Sequence, residues 1–316
     1  MTGFLIRRLA WALVVLLAVG VITFGLVYAL PTDPARALAG PHANAASVAR
    51  ISAALGLDDP LPTQLLRYLG GLLQGDLGHS YQRNRDVVPV LLERLPATLQ
   101  LALAGLAVEL LIGIPLGVLA AQRAGGYIDR SVTTVASILV AVPSFLVGYL
   151  LLNVLAFQPR VRLGFDLFPI GGYQFLDLRY LFLPAVTLGL SGAAYYVRLA
   201  RATLLDELSR DYVRTARSKG LDERRITWRH LFPNACLPLL TQFGLDVGFF
   251  LGGVVVIEQV FAWPGIGRLA VEAIVAADVP LVMGTVLFAT LAIVLANLAV
   301  DVTYALIDPR LRNRPE

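Results

Sequence analysis

Six long, mostly apolar stretches are spread along the 316-residue chain, and they limit what it can fold into. A helix needs roughly 20 apolar residues to cross the hydrocarbon core of a bilayer. The sequence therefore predicts an all-α polytopic membrane protein with six transmembrane helices. The expected spans are 10–30, 97–121, 132–157, 181–199, 237–256 and 281–307.

The composition agrees with a chain that lies largely in lipid. Hydrophobic residues make up 57% of it and charged residues 15%, whereas soluble domains carry about 25% charged residues. One cysteine, Cys236, excludes a disulfide framework, and three separated histidines make no local metal motif. In so apolar a chain the net charge of +4 indicates membrane topology rather than nucleic-acid binding.

Basic residues beside the spans predict the topology. Most of the 26 lie in segments that share one side of the membrane if the N-terminus is cytoplasmic, so both termini are expected there. The domain organisation follows: an N-terminal transmembrane helix at 1–31, an extracytoplasmic segment with short helices at 32–94, and a five-helix core at 95–316. The core contains a cytoplasmic loop at 200–236. A signal peptide is the weaker interpretation of the first stretch, which exceeds the usual ~7–15 apolar residues.

Small residues recur at four-residue spacing on two spans: Gly113 and Gly117, and Gly244, Gly248 and Gly252. Such spacing lets two helix backbones approach closely in lipid. These faces are expected to pack within the chain or against a second membrane subunit.

Three carboxylates, Glu109, Asp246 and Asp301, fall at or near membrane depth. Ionisable groups there are costly and often mark a transport pathway. Asp246 is nearest the middle of its span and is the best candidate to face a pathway. The alternative for each is a hydrogen bond to a neighbouring helix or a position near an interface.

The loop at 200–236 predicts a helix that continues out of the fourth span and ends at Gly220, since glycine suits the left-handed residue that closes a helix. Asp222 can cap a second helix from Glu223. The resulting knob mixes basic and apolar side chains, which favours a docking surface over a solvated loop attracted to anionic lipid. Its members are Arg214, Arg217, Lys219, Arg224, Arg225 and Arg229, with Val213, Ala216, Leu221 and Ile226.

Catalytic motifs are missing from the sequence. It contains no Gly-x4-Gly-Lys-Ser/Thr phosphate loop, no His-Glu-x-x-His and no Gly-x-Ser-x-Gly. The chain is therefore expected to be no enzyme, and if it does energetic work, the energy comes from a partner or an ion gradient.

Several segments resemble one transporter family. Arg214-Thr215-Ala216 stand where permeases of ABC importers carry Glu-Ala-Ala, and Gly220 matches their glycine. Pro233 matches the proline of the later Ile-x-Leu-Pro, although His230 and Phe232 replace its apolar residues. The chain resembles the B-type permease subunit of dipeptide/oligopeptide (peptide/nickel) importers in four segments. They are DYVRTARSKGL, RHLFPNA, LGLDDPLPTQLLRYLGGLLQGDLGHSY and VVVIEQVFAWPGIGRLAVEAIVAADVPLVMG.

That resemblance implies a type I ABC importer permease fold in the cytoplasmic (inner) membrane of a bacterium. It implies as partners a second, C-type permease, two ATP-binding subunits and an extracytoplasmic substrate-binding protein. ATP and Mg would be bound by the partner subunits, with no cofactor or metal in this chain. The cargo would be di- or oligopeptides, with nickel or glutathione as alternatives. A proton-coupled secondary transporter using Glu109 and Asp246 fits less well, since no repeat is visible.

The resemblance also assigns residues to roles. The ATPase-coupling loop would comprise Arg214, Thr215, Ala216, Lys219, Gly220, Leu221, Arg225 and Pro233. The resemblance indicates a gate at Glu258, Phe261, Trp263 and Pro264, which join Asp246, chosen above for its depth in the membrane, as candidates for the translocation pathway. For the gate aromatics the alternative is anchoring at the membrane interface.

Overall fold

The computed structural model describes residues 2–29, 35–36, 44–80, 82–252 and 254–307. Arg310, Arg312 and Arg314, which support the predicted topology, lie outside these residues. Within them, six helices are long and apolar enough to cross a membrane, which confirms the predicted fold class. These helices are Ile6–Leu26, Val87–Gln122, Ser144–Leu163, Leu178–Leu208, Glu223–Leu251 and Val279–Thr303.

The described elements follow one another with short connections. In chain order they are α1 Thr2–Ala29, α2 Ala45–Leu55, α3 Leu61–Leu73, β1 His79–Ser80, β2 Arg85–Asp86, α4 Val87–Gln122, α5 Tyr127–Ala141, α6 Ser144–Leu151, a π-helical turn at Leu152–Phe157, α7 Gln158–Leu163, α8 Leu178–Leu208, α9 Asp211–Ser218, α10 Glu223–Ile226, a second π-helical turn at Thr227–Leu231, α11 Phe232–Leu251, α12 Val255–Val260, α13 Ile266–Val275 and α14 Val279–Ile307.

The chain forms two compact units. The first comprises Met1–Thr98, Leu251–Val255 and Pro264–Glu316, and the second comprises Leu99–Phe250 and Val256–Trp263. Helix α4 begins in the first unit and ends in the second.

The first unit has its own apolar core, formed where the start of α4 packs against α13 and α14. Val87 and Leu91 are buried there against Ile266, Leu269 and Leu281. Local capping fixes the shorter helices of this unit. Asn44 accepts a hydrogen bond of 2.8 Å from the Ser47 N–H at the start of α2, and Gly56 closes that helix with a φ of 64°.

The predicted third span, 132–157, is wrong as one continuous helix. Helix α5 ends at Ala141, and Val142 is extended, with φ −86° and ψ 127°. Pro143 follows, and its ring disfavours the helical conformation of the preceding residue. The candidate span is therefore Ser144–Leu163, which begins after the proline.

Glycines bring α4 and α8 into contact in the second unit. A Cβ built on Gly113 would lie 2.6 Å from the Cβ of Tyr196, and one on Gly117 would lie 2.7 Å from the Cβ of Ala200. Real Cβ atoms do not approach so closely, so the contact requires glycine at both positions. For this pair, the structure favours packing within the chain over a face reserved for another subunit.

Replacing Gly113 with Ala should destabilise the protein, because the added methyl group meets Tyr196 and the backbone of α8. Overpacking of this kind costs about 1–3 kcal/mol. Thermal unfolding in detergent, followed by intrinsic fluorescence, should show a lower midpoint for Gly113→Ala. Gly25→Ala is the matched control, since no heavy atom lies within 4 Å of that Cβ. Equal midpoints for the two variants would contradict the proposed α4–α8 contact.

Candidate functional site

The segment after α8 folds into a pair of short helices, and the sequence predicted only part of this arrangement. The predicted single helix from the fourth span to Gly220 is wrong, because α8 ends at Leu208 and α9 starts at Asp211. The Ser209 hydroxyl donates back to the Asp206 carbonyl at 2.7 Å, and Arg210 is extended, with ψ 148°. A serine bonded to the backbone competes with helix continuation at this point.

The turn between α9 and α10 matches the prediction. Gly220 has a φ of 72°, and the Leu221 N–H donates to the Ala216 carbonyl at 3.3 Å. The Asp222 carboxylate then caps α10 by accepting from the Arg224 N–H at 3.2 Å. We call α9, this turn and α10, residues 211–226, the α9–α10 hairpin.

One face of the hairpin is buried against the ends of two long helices. Val213, Ala216 and Ile226 enter an apolar cluster in the second unit. The cluster also contains Val118 and Ala121 from α4, Leu204 from α8, Leu231 from the second π-helical turn and Ala235 from α11. The hairpin is therefore packed onto the membrane helices and is not a loose loop.

Polar contacts join the two helices of the hairpin to each other and to α8 and α11. Arg217 donates to both carboxylate oxygens of Glu223, at 2.7 and 3.2 Å, and so joins α9 to α10. The Tyr212 hydroxyl donates to Glu207 at 2.7 Å and accepts from Asn234 at 3.3 Å. Tyr212 thus connects α8, α9 and α11, a role that the sequence analysis missed.

The opposite face of the hairpin is open to solvent. The Arg214 side chain is 81% exposed, and that of Asp211, 3.8 Å away, is 97% exposed. Thr215, Lys219 and Arg225 are exposed as well. Of the other predicted coupling residues, Ala216 is buried in the cluster, Leu221 is half-buried, Gly220 forms the turn, and Pro233 lies exposed in the first turn of α11.

A partly buried ion pair joins α5 to α8. Arg201 donates to the two carboxylate oxygens of Asp129 at 2.5 and 2.8 Å, and the Gly125 N–H donates to Asp129 at 2.8 Å. The Asp129 side chain is 4% exposed. The Arg201 hydrogen bonds, followed by the Gly125 bond, lower the pKa of Asp129 from 3.8 to about 2.

Polar groups also meet inside the spans of the second unit. Asp246 on α11 accepts hydrogen bonds from the Tyr196 hydroxyl at 3.0 Å and from the Gln242 amide at 2.9 Å. Glu109 on α4 is fully buried and packs directly against Gly192 of α8. Asp246 therefore bonds to a neighbouring helix, as one of the two sequence interpretations expected, and it remains half-buried.

Asp301 also pairs with a neighbouring helix, which was the alternative to a place in a transport pathway. Its carboxylate lies 2.8 Å from the Arg8 guanidinium, which joins α14 to α1 in the first unit. This ion pair explains a charged residue near the end of the last span without a role in transport.

The gate candidates are enclosed by protein. Glu258, Phe261 and Trp263 are fully buried in the second unit, where the Trp263 ring makes an edge contact with Tyr173 at 4.8 Å. The Phe261 carbonyl accepts a hydrogen bond of 2.9 Å from the Gly172 N–H. Interfacial anchors expose their rings to lipid headgroups, so burial argues against that alternative. Pro264, which belongs to the first unit, is half-buried.

Comparison with known sequences identifies the class of protein. The chain belongs to the family described as binding-protein-dependent transport system inner membrane component, whose sequence model matches residues 113–313. The companion N-terminal component of the same transport systems matches residues 1–102. The resemblance noted from the sequence is thereby confirmed, and the chain is a permease component that serves transport.

Individual relatives are similar along their whole length. AppB of Bacillus subtilis, an oligopeptide transport system permease protein, is 37% identical over 98% of this chain and 99% of its own. GsiC of Escherichia coli, a glutathione transport system permease protein, is 38% identical over 99% of both chains. A chain of the inward-facing MetNI methionine ABC transporter has the same fold, with a TM-score of 0.53, 20% identity and coverage of 70% of this chain and 97% of its own.

Asp129→Asn should destabilise the protein, because it leaves the Arg201 guanidinium without its charged partner in a site that is largely closed to water. Arg201 is 31% exposed, so we expect the free energy of unfolding to fall by about 1–3 kcal/mol, less than for a fully buried pair. The matched control is Asp166→Asn, which removes a carboxylate from an ion pair exposed on both sides. Thermal unfolding in detergent at pH 7 measures both variants, and equal losses would contradict the prediction.

The stability that the Asp129–Arg201 pair contributes should depend on pH. The folded-state pKa of Asp129, about 2, lies below the ordinary 3.8, so its ionised form stabilises the folded chain above pH ~4. This stabilisation is lost as the pH falls from about 4 towards 2. The difference in unfolding midpoint between the wild type and Asp129→Asn should therefore shrink over that range. A difference that stays constant from pH 7 to pH 2.5 would rule out the ionised pair.

Proposed function

We propose that this chain is the B-type half of the permease of a peptide importer driven by ATP. A second, C-type permease would complete the pathway, two partner subunits would bind ATP and Mg and hydrolyse the ATP, and an external binding protein would deliver the peptide. Both termini would lie in the cytoplasm. Family membership and the oligopeptide permease AppB, similar over its whole length, support this assignment.

The rigid attachment of the α9–α10 hairpin is the observation that carries the proposal. Its buried face shares one apolar cluster with α4, α8 and the start of the fifth span. Its open face presents Arg214, Lys219 and Arg225 to a partner. A partner that moves the hairpin must therefore also move the helices to which it is packed, because well-packed interiors transmit strain.

Coupling would then proceed in three steps. Closure of the two ATP-binding subunits displaces the hairpin, which is docked in a cleft of one of them. The Gly220 turn and the Arg217–Glu223 pair keep α9 and α10 at a fixed angle, so the hairpin moves as one body. The displacement passes through the apolar cluster to α8 and α11, which carry Tyr196 and Asp246.

Asp246, which accepts a hydrogen bond from the buried Tyr196, is our candidate for a group that meets the cargo. The carboxylate is half-buried and oriented by two hydrogen bonds, so a positively charged group can approach it in a fixed geometry. Glu258, Phe261 and Trp263, with Pro264, would form the outer gate. The burial of Glu258, Phe261 and Trp263, and the edge contact of Trp263 with Tyr173, suit a closed state that excludes water.

Glutathione is the second candidate cargo, favoured by the 38% identity to GsiC. Glutathione is itself a tripeptide, so both candidates share an amide backbone and charged ends. The family assignment disfavours the proton-coupled carrier. Competition for uptake between a labelled dipeptide and unlabelled oligopeptide, glutathione or nickel would rank the possible cargoes.

Breaking the hairpin should uncouple ATP hydrolysis from uptake. We expect Arg214→Glu and Gly220→Pro, in proteoliposomes of the whole importer, to lower peptide uptake by about tenfold or more while ATP hydrolysis continues. Proline fixes φ near −65° and cannot occupy the left-handed turn at Gly220.

Both variants have matched controls within the chain. Gly164→Pro places the same strain at a turn with a φ of 70° and open surroundings, away from the hairpin. Arg162→Glu reverses an exposed charge on α7. Normal coupled uptake in both hairpin variants would refute the docking role, whereas equal loss in the controls would indicate a general folding defect.

Purification in mild detergent tests the assembly directly. A tagged copy of this chain should bring down a second permease and ATP-binding subunits, and the eluate should hydrolyse ATP. If the chain is recovered alone while a known importer purified in parallel stays intact, the proposed assembly is wrong.

A further inference from the structure

A cavity of about 650 Å³ lies beside the α9–α10 hairpin in the second unit. Its walls come from the ends of α4 and α8, from Arg217 of the hairpin and from the segment 223–231. The proposed transport cycle assigns it no task, because docking uses the open face of the hairpin.

The inner wall of the cavity is apolar. Val118, Leu204 and Leu231 line it, and all three are buried in the cluster beneath the hairpin. A small hydrophilic ion would leave this wall unfilled. An occupant that fits it must carry an apolar part.

The mouth of the cavity is basic. Arg123, Arg217 and Arg224 line it, together with a single carboxylate, Glu223. Arg217 is already paired with Glu223. Within the described part of the chain, no carboxylate lies at ion-pair distance from Arg123 or Arg224, so the mouth keeps two uncompensated positive charges.

The cavity lies at one end of two spanning helices, where the headgroup region of a bilayer is expected. It lies where the spans α4 and α8 end, at Gln122 and Leu208. Trp228 also lines it, is 48% exposed and has its ring 5.2 Å from that of Phe232. Tryptophan is enriched at the headgroup level of bilayers, where one edge of the ring is wet and the rest apolar.

We propose that this cavity binds the headgroup of one anionic phospholipid. The phosphate lies between Arg123 and Arg224, which match its geometry with paired N–H donors. The glycerol backbone and the first acyl carbons lie along Val118, Leu204 and Leu231. Basic pockets between membrane helices bind anionic lipids in this way.

A lipid held there touches both the hairpin and the spans. Arg224 belongs to the hairpin, and Arg123 follows the end of α4. One phosphate bound to both would stabilise their relative position. Coupled transport should therefore depend on the anionic lipid content of the membrane.

Native mass spectrometry of the purified full-length chain tests the proposal, with palmitoyl-oleoyl phosphatidylglycerol or the zwitterionic phosphatidylcholine added in detergent. The wild type should retain one phosphatidylglycerol in preference to phosphatidylcholine. The double variant Arg123→Gln/Arg224→Gln should bind it about 30-fold more weakly, since each arginine near a headgroup contributes about fivefold.

A matched double variant, Arg225→Gln/Arg229→Gln, removes the same charge from exposed positions that do not line the cavity. Its affinity should stay within about twofold of the wild type, and Arg123→Lys/Arg224→Lys should recover much of the lost affinity. If the double glutamine variant does not fold, Arg123→Gln alone should still show a loss of about fivefold.

Four results would overturn the proposal. They are equal affinity for the two lipids, an equal loss in the Arg225/Arg229 control, displacement of the lipid by millimolar glycerol phosphate, and loss of the lipid whenever the ATP-binding subunits are bound. The third would indicate a site for free phosphate, and the fourth a surface that belongs to the ATPase interface.

Discussion

Backbone contact between α4 and α8 is the constraint on which the second unit depends. Lipid is as apolar as leucine, so helices in a membrane are held by close packing and polar contacts rather than by hydrophobic burial. Glycines at positions 105, 113 and 117 allow that packing along α4. The same two helices then supply Glu109 and Tyr196 in the span and the apolar bed of the hairpin at the end. One helix pair thus orients both the polar groups and the α9–α10 hairpin.

Features set by local sequence were predictable. The six spans follow from apolar length, and the turn at Gly220 with its cap at Asp222 follows from residues that favour those conformations. The errors also have local causes. The break at Pro143 overrides a continuous apolar run, and Ser209 ends α8 because its hydroxyl bonds to the preceding turn.

Pairings between distant segments were not predictable, because nothing in one sequence indicates which charges meet. Asp129 and Arg201 are 72 positions apart, and Tyr212 joins three helices whose packing must be known first. The burial of individual side chains could not be predicted from the sequence either. Trp263 is an amphipathic residue near a span end, which suits an interfacial anchor, yet its surroundings enclose it completely. The apolar pattern places helices in a membrane but does not show which side chains they cover.

In the proposed coupling, the two faces of the α9–α10 hairpin have separate tasks. Val213, Ala216 and Ile226 would determine how the hairpin moves, while the solvent-facing Arg214 and Arg225 would determine what it touches. Substitutions on the outer face leave the interior packing unchanged. If the hairpin couples transport in this way, partner choice is free to diverge, after gene duplication for instance, while the transmission itself stays intact.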